Sequence, residues 1–127
     1  MNVSTANWDP RFPIERLAAF SVGGSGGNRA GVALLDALPP AAAMQAVAAW
    51  IGYSETVFAA PEEDSWRVRY FAPKAEVDFC GHATIALGAA LAIRGGGRDF
   101  RLRLNHAVIT VEGWEDGVAG VHCPGLS

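Results

Sequence analysis

The alternation of apolar and polar side chains predicts mostly extended structure along this chain. Residues 66–72, WRVRYFA, alternate with the period of two that is typical of a half-buried strand. The segment ETVFAA at 55–60 comes shortly before it, and the intervening PEEDS predicts the turn of a hairpin. By the same criteria, six other segments are predicted to be strands or short extended pieces: 14–22, 30–35, 76–79, 100–104, 107–112 and 117–123.

Two segments are predicted to be helices. The first begins at the prolines 39–40, because proline suits a first helical turn, and it ends near Gly52. Its apolar residues recur at helical spacing, at Met44, Val47, Ala48 and Ile51. The second helix runs from Gly81 or His82 to about Arg94, where the glycines 95–97 stop it.

The second helix decides the predicted architecture. Its apolar residues cover every face, and a helix of that kind must be buried all round. Since most other elements are strands, we predict an α+β fold in which a mixed, curved sheet wraps around one central buried helix. Alanines and Gly88 would let the sheet approach this helix closely. Residues 1–13 are expected to be a loose N-terminal leader, and residues 14–127 a single domain.

Composition narrows the possible partners and the cellular compartment. Half of the 127 residues are apolar, the net charge is −3 and the basic residues are scattered. No nucleic-acid or membrane partner is therefore expected. Cys80 and Cys123 are too few for a disulfide framework, and the N-terminus lacks the apolar segment of a signal peptide. We expect a cytoplasmic protein with reduced thiols.

Three common kinds of site find little support in the sequence. Residues 26–33, GGNRAGVA, have the glycine spacing of a phosphate-binding loop, but Val32 replaces its lysine and a strand is predicted to follow. No Gly-x-Ser-x-Gly segment is present for a serine nucleophile. Metal binding is not expected, because no Cys-x-x-Cys or His-x-x-x-His pair occurs among the candidate ligands Cys80, His82, His106, His122 and Cys123.

The start of the second helix is the best candidate for chemistry. Cys80 and His82 lie there, where free backbone N–H groups and the helix dipole favour negative charge. Such a field would lower the pKa of a thiol, favour neutral imidazole, and hold a substrate carboxylate. Glu55, in YSETVF, follows a helix end and could reach the same cleft. The residues alone leave open a plainer interpretation, in which Cys80 is a small buried apolar residue and Glu55 a solvated one.

Four segments, in this order, resemble a known family. They are residues 18–35 (AAFSVGGSGGNRAGVALL), 44–58 (MQAVAAWIGYSETVF), 66–91 (WRVRYFAPKAEVDFCGHATIALGAAL) and 104–113 (LNHAVITVEG). The chain is similar from about Ile14 to Pro124 to the N-terminal half of the phenazine-biosynthesis PhzF-like proteins, which share their fold with diaminopimelate epimerase. The Ser-Glu-Thr and Cys-Gly-His-Ala-Thr pieces in tandem are the specific part of this resemblance.

The resemblance implies a fold, a reaction and a set of site residues. The fold is two similar halves, each a mixed sheet around a central helix, with the active site between them. The implied reaction is a cofactor-free isomerisation by proton transfer on a small carboxylic acid. Its implied catalytic residues are Glu55, as the acid and base, and His82, and its implied substrate-binding residues are Asn28, Cys80, Gly81, Ala83 and Thr84.

The chain departs from the family pattern in two ways, and these leave three hypotheses. Arg29 stands where the family usually has proline, and the sequence ends about where the first half would end. One hypothesis is an isomerase or epimerase whose site is completed by a second copy in a homodimer, in which Cys80 could serve as a thiol base. The others are a non-catalytic module that binds a small molecule or a partner, and a partial gene product without the second domain.

Overall fold

The computed structural model describes residues 3–6, 17–21, 29–95, 99–113 and 119–122. Within these residues, nine strands form one mixed sheet that is accompanied by two helices, which confirms the α+β class. Along the chain the elements are β1 (Val3–Ala6), β2 (Leu17–Ser21), β3 (Arg29–Leu34), α1 (Ala41–Ile51), β4 (Glu55–Glu62), β5 (Ser65–Phe71), β6 (Glu76–Val77), α2 (Gly81–Gly95), β7 (Asp99–Arg103), β8 (Val108–Gly113) and β9 (Ala119–His122).

The first strand lies in the segment predicted to be a loose leader. Residues 3–6 form β1, which pairs antiparallel with β2, so the expectation for residues 1–13 is wrong at these four positions. Val3 and Thr5 are β-branched, and this favours the extended backbone of a strand. The remainder of residues 1–13 lies outside the described part of the chain.

The predicted hairpin between β4 and β5 forms with a shorter turn than expected. β4 continues through Pro61 and Glu62, which leaves only Glu63 and Asp64 between the paired strands. Proline is tolerated there because β3 pairs only with residues 55–59 of β4, so the missing N–H interrupts no ladder on that side. Glu63 takes a positive φ of 49°, which glycine adopts more readily.

The sheet curves around α2, as predicted. The strand order is β1-β2-β3-β4-β5-β7-β8-β9, with β6 added to β5, and only the pairs β3–β4 and β5–β7 are parallel. α2 packs against β2, β3 and β4 and also against β8 and β9. In a flat sheet β2 and β9 would be roughly 29 Å apart, at about 4.8 Å per strand, which is far wider than one helix. The sheet must therefore bend around α2.

The central helix is buried on all sides along its middle. Every residue from 83 to 92 is buried except Ile85, which is half-buried. Ile93, near the C-terminal end, is 49% exposed. A Cβ atom added to Gly113 of β8 would lie 2.0 Å from the carbonyl oxygen of Gly88, so strand and helix meet backbone to backbone. The close approach predicted for Gly88 is thus present.

The other face of the sheet is covered by α1. Strand alternation sends Val57 towards α2 and Phe58 towards α1, where it packs with Met44 and Phe71. α1 ends at Gly52, which has the predicted role of a stop: its φ is +77° and its N–H bonds to the Ala48 carbonyl at 3.1 Å. Within the described residues, neither helix is long and apolar enough to cross a membrane.

Candidate active site

Two segments that are far apart in the sequence meet where β4 and α2 begin. Glu55 is the first residue of β4, and Cys80 directly precedes α2. The register of the hairpin brings them together: Thr56 pairs with Phe71, the last residue of β5, and the chain then turns through β6 into α2. The Cys80 Sγ lies 3.6 Å from Glu55 Oε1, and both residues are half-buried.

Cys80 stands at the N-cap position of α2. The backbone N–H groups of Ala83 and His82 act on its thiol and tend to lower the pKa of Cys80. Its carbonyl accepts the first helical bond, from the Thr84 N–H at 3.0 Å. Two of the free N–H groups that the sequence predicts for a substrate carboxylate therefore also act on the Cys80 side chain.

Burial and the neighbouring carboxylate change the acidity of this thiol. Burial is the largest cause and raises the pKa of Cys80 above its ordinary value, and the charge of Glu55 raises it further. The N–H groups of Ala83 and His82 oppose these effects without cancelling them. The expectation that the helix start lowers the pKa of a thiol is wrong for Cys80, since desolvation outweighs the helix field. The group is a neutral thiol at pH 7.

A chain of buried hydrogen bonds connects the start of α2 to strand β5. Thr84 Oγ1 donates to the Cys80 carbonyl at 2.8 Å. The Tyr70 hydroxyl lies 2.6 Å from the same Oγ1, and because the Thr84 hydrogen is already used, Tyr70 is the donor. The Tyr70 ring also meets the ring of Phe79 edge-on, with centroids 5.9 Å apart. The segment that carries Cys80 is thereby tied to the inner face of β5.

This arrangement changes what two of the predicted binding residues can contribute. Thr84 is completely buried, and both its hydroxyl and its N–H are bonded to Cys80. Ala83 is also completely buried, and its N–H tends to lower the pKa of the Cys80 thiol. Tyr70 is the supporting residue that the sequence analysis missed. Its inward position in the alternating strand 66–72 was the available signal, but nothing in the sequence pairs it with Thr84.

The remaining predicted residues lie in different surroundings. His82 is exposed in the first turn of α2, and Gly81 is half-buried at the first helical position. Asn28 and the glycine-rich loop 23–28 lie outside the described residues. In the described part of the chain, no three His, Cys, Asp or Glu side chains lie close enough together to hold a metal ion.

A second polar region lies at the opposite end of the hairpin. A groove of about 410 Å³ is lined by Glu62, Glu63, Asp64, Ser65, Arg101, Arg103 and Val108. Arg103 donates to both carboxylate oxygens of Glu62 within it. Glu62 and Glu55 are at the two ends of an eight-residue strand, which separates them by roughly 23 Å at about 3.3 Å per residue. The groove is therefore separate from the site at Glu55 and Cys80.

Comparison with known proteins relates this arrangement to one family. The family model PhzC-PhzF, described as phenazine biosynthesis-like protein, matches residues 17–117. An uncharacterized isomerase of Deinococcus radiodurans is 48% identical over 96 residues, which are 75% of this chain and 31% of that protein. A second uncharacterized isomerase, from Pseudomonas aeruginosa, is 44% identical over 81 residues, covering 64% of this chain and 31% of its own length.

Solved structures show the same relationship in three dimensions. The phenazine biosynthesis protein of the PhzF family from Enterococcus faecalis superimposes with a TM-score of 0.66 at 31% identity, over 78% of this chain and 39% of that one. The Bacillus anthracis PhzF-family protein gives a TM-score of 0.65 at 26% identity, over 95% and 40% of the two chains. This chain thus spans about a third of the length of the curated relatives it matches.

Proposed function

Since the chain belongs to the phenazine biosynthesis-like family PhzC-PhzF, we propose that it carries the acid–base part of an isomerase for a small carboxylic acid. Glu55 is the group that moves the proton. The observation that carries this proposal is the position of its carboxylate, half-buried and 3.6 Å from the residue that caps α2. A carboxylate in a cleft can accept a proton in one half-reaction and return it in the other.

The reaction needs no oxidant or reductant. Glu55 removes a hydrogen as a proton from a carbon of the substrate, and the electron pair of the broken C–H bond shifts along the substrate. The protonated Glu55 then delivers a proton to another carbon, where a new C–H bond forms. While Glu55 holds the proton it exchanges with solvent, so deuterium from D₂O enters the new bond. The carboxylate ends the cycle as it began, so no cofactor is required. The Cys80 thiol does not compete for this role, because its pKa is raised and it remains protonated.

Recognition of the substrate carboxylate is assigned to the beginning of α2. His82 is exposed in the first turn, where its imidazole can donate to an anionic group, and Gly81 leaves space beside it. The nearest heavy atom to a Cβ added at Gly81 would be a Phe79 ring carbon at 4.0 Å. Asn28, in the glycine-rich loop, is the last residue of the proposed substrate-binding set. Ala83 and Thr84 contribute indirectly, Ala83 through its backbone and Thr84 through its buried hydrogen bonds to Cys80 and Tyr70.

A second copy of the chain completes the cleft in this proposal. The family members of known structure named above are roughly two to two and a half times as long as this chain, which matches about two fifths of each of them. Phe79 is 45% exposed directly beside Cys80, which fits a surface covered by another subunit. We expect a homodimer whose contact buries at least about 1,000 Å² in total. Sedimentation at micromolar concentration checks this, and a clean monomer would contradict it.

Exchange of carbon-bound hydrogen for deuterium tests the proposed reaction. The chain is incubated in D₂O with a panel of small carboxylic acids, and loss of the C–H signals is followed by proton NMR. We expect exchange with at least one acid, and a rate lower by roughly a hundredfold or more in Glu55→Gln, the usual scale of general acid–base catalysis. Glu63→Gln, in the exposed hairpin turn, is the matched control.

The outcomes of this assay separate the three hypotheses for the chain. Exchange that Glu55→Gln leaves unchanged would remove Glu55 from the mechanism. Binding of an acid without exchange would favour the non-catalytic module. A folded chain that neither binds nor exchanges any acid would favour the partial gene product.

A further inference from the structure

The Cys80 thiol lies beside Glu55 without a task in the proposed reaction. Two kinds of group act on it: Glu55 Oε1 lies 3.6 Å from its sulfur, and the backbone N–H groups of Ala83 and His82 tend to lower the pKa of Cys80. A neutral thiol can accept from the amides through its sulfur and donate its single hydrogen to the carboxylate. A thiolate could accept from the amides but could donate nothing, and it would place a second negative charge beside Glu55.

We infer that Cys80 is a positioning residue for Glu55. This inference rests on the proposed function of the Glu55 carboxylate. The thiol remains protonated and donates its hydrogen to Oε1, so Oε1 is held against the start of α2 while Oε2 is left to exchange a proton with the substrate. The proton on sulfur does not enter the reaction. This differs from the role of thiol base, in which Cys80 itself would remove the substrate hydrogen.

The cysteine can orient Glu55 because its own position is fixed. Its carbonyl receives two hydrogen bonds from Thr84, one from the backbone N–H and one from Oγ1. Thr84 is in turn bonded to Tyr70 on β5, and both residues are buried. The sulfur therefore belongs to a rigid corner between β5 and α2, whereas Glu55 stands at the first position of a strand.

The charges around the thiol agree with its neutral state. Glu55 faces it from β4 and the Tyr70 hydroxyl is bonded to Thr84 from β5, while Asp78 and His82 flank it on its own segment. Glu76 of β6 is bonded to Arg69. Among the described residues, the side-chain charge that acts on the pKa of Cys80 is that of Glu55, and it adds to the effect of burial. Removing this charge should ease ionisation of the thiol.

The first experiment measures this contact without any substrate. Alkylation of Cys80 by iodoacetamide is followed from pH 6 to pH 10 in the full chain, with peptide mass spectrometry to separate Cys80 from Cys123. In Glu55→Gln we expect the midpoint of the pH profile to fall and the rate at pH 7 to rise at least about threefold. Glu63→Gln should match the wild type. Identical profiles for wild type and Glu55→Gln would overturn the inference, while leaving Glu55 available as acid and base.

The second experiment distinguishes positioning from direct proton transfer. In the deuterium-exchange assay, we expect Cys80→Ala to lower kcat about tenfold with little change in KM, on the scale of a lost orienting contact. Cys80→Ser retains a donor and should recover most of kcat. Equal loss in both variants would identify Cys80 as the base, and wild-type rates in both would show that it has no role. Either result overturns the inference.

The two experiments also separate this inference from the function on which it rests. If the wild type exchanges no deuterium but Glu55→Gln still alters alkylation of Cys80, the proposed reaction is wrong. Only the contact between the Cys80 thiol and Glu55 is then supported. If the wild type exchanges deuterium and Glu55→Gln abolishes this without changing alkylation, the reaction stands and the positioning role fails. Circular dichroism of each variant confirms that the fold is retained.

Discussion

Side chains on the two faces of strand β5 bind the segment that leads into α2 through different kinds of interaction. On the inner face, Tyr70 is buried and bonded to Thr84 of α2. On the outer face, Arg69 donates two hydrogen bonds of 2.7 Å to the Glu76 carboxylate, with about a quarter of each side chain exposed. Both contacts connect β5 to the residues that lead into the site. The inner contact works without competition from water, whereas the outer one is screened, so their contributions to stability should differ.

Replacing Gly113 of β8 should have the largest effect, because it tests the packing of the inner face of the sheet against α2. In Gly113→Ala the new methyl group would lie 2.0 Å from the Gly88 carbonyl oxygen, which is a backbone atom and cannot move aside. We expect the free energy of unfolding to fall by about 3 kcal/mol or more, since overpacking a rigid core has costs of this size. Urea denaturation checks this. Gly81→Ala is the control, and an equal loss in both variants would contradict the backbone contact.

Removing the inner hydrogen bonds should have the next largest effect. Thr84→Val keeps the shape of the side chain but deletes the bonds to Tyr70 and to the Cys80 carbonyl. We expect a loss of about 1–3 kcal/mol in the free energy of unfolding, as is usual for a buried hydrogen-bonding group that loses its partner. The same substitution at the half-buried Thr110 of β8 is the control. A smaller loss at Thr84 than at Thr110 would show that the chain of bonds does not stabilise the start of α2.

The outer ion pair should contribute less and should depend on pH. Arg69 is the main cause of the lowered pKa of Glu76, so the carboxylate is easier to ionise in the folded chain. Its contribution to stability is therefore complete above the ordinary value of 4.5 and is lost as the pH falls through the lowered folded value. We expect Glu76→Gln to destabilise the chain by about 0.5–1 kcal/mol at pH 7 and low salt.

The pH profile of this variant is the sharper measurement. The difference in unfolding free energy between wild type and Glu76→Gln should shrink below pH 4.5 and in high salt. Asp64→Asn in the exposed turn serves as the control for removing one negative charge. A difference that stays constant from pH 7 to pH 3 would mean that Glu76 acts through packing and not through its charge.

A substitution in the hairpin turn should have the smallest effect on the free energy of unfolding, and this effect should have the opposite sign. Glu63 adopts a positive φ of 49°, a conformation that side chains other than glycine reach at some cost. Glu63→Gly should therefore raise the free energy of unfolding slightly, by about 0.5 kcal/mol, after the entropy of the unfolded glycine is deducted. Asp64→Gly, at a position without this constraint, should lower it. Thermal unfolding of the two variants in parallel decides the sign.

Periodicity in the sequence was sufficient to predict the elements that pack against the core. The all-round apolarity of α2 predicted its central place, and the alternation of residues 66–72 predicted β5. β1 could not be found this way, because four residues next to a proline-containing segment are too few to show a period. It becomes a strand by pairing with β2, a tertiary contact that no local pattern reports.

The roles of the candidate residues remain predictions, and their interactions could be anticipated only in part. From the sequence, Glu55 was expected to reach the cleft at the start of α2, and its Oε1 lies 3.6 Å from the Cys80 sulfur. The state of the thiol was predicted wrongly, because the helix field can be inferred from position alone whereas desolvation depends on the completed fold. The support from Tyr70 was missed for the same reason, since it requires the register between β5 and α2.

Mapping the binding of one small molecule tests most directly whether the starts of β4 and α2 form a single site. A carboxylic acid from the exchange panel is titrated into the ¹⁵N-labelled chain, and amide shifts are followed by NMR. We expect the amides of Glu55, Gly81 and His82 to shift together with one dissociation constant, while those of Arg101 and Arg103 in the distant groove stay unchanged. Shifts that gather at that groove, or different constants for Glu55 and His82, would contradict it.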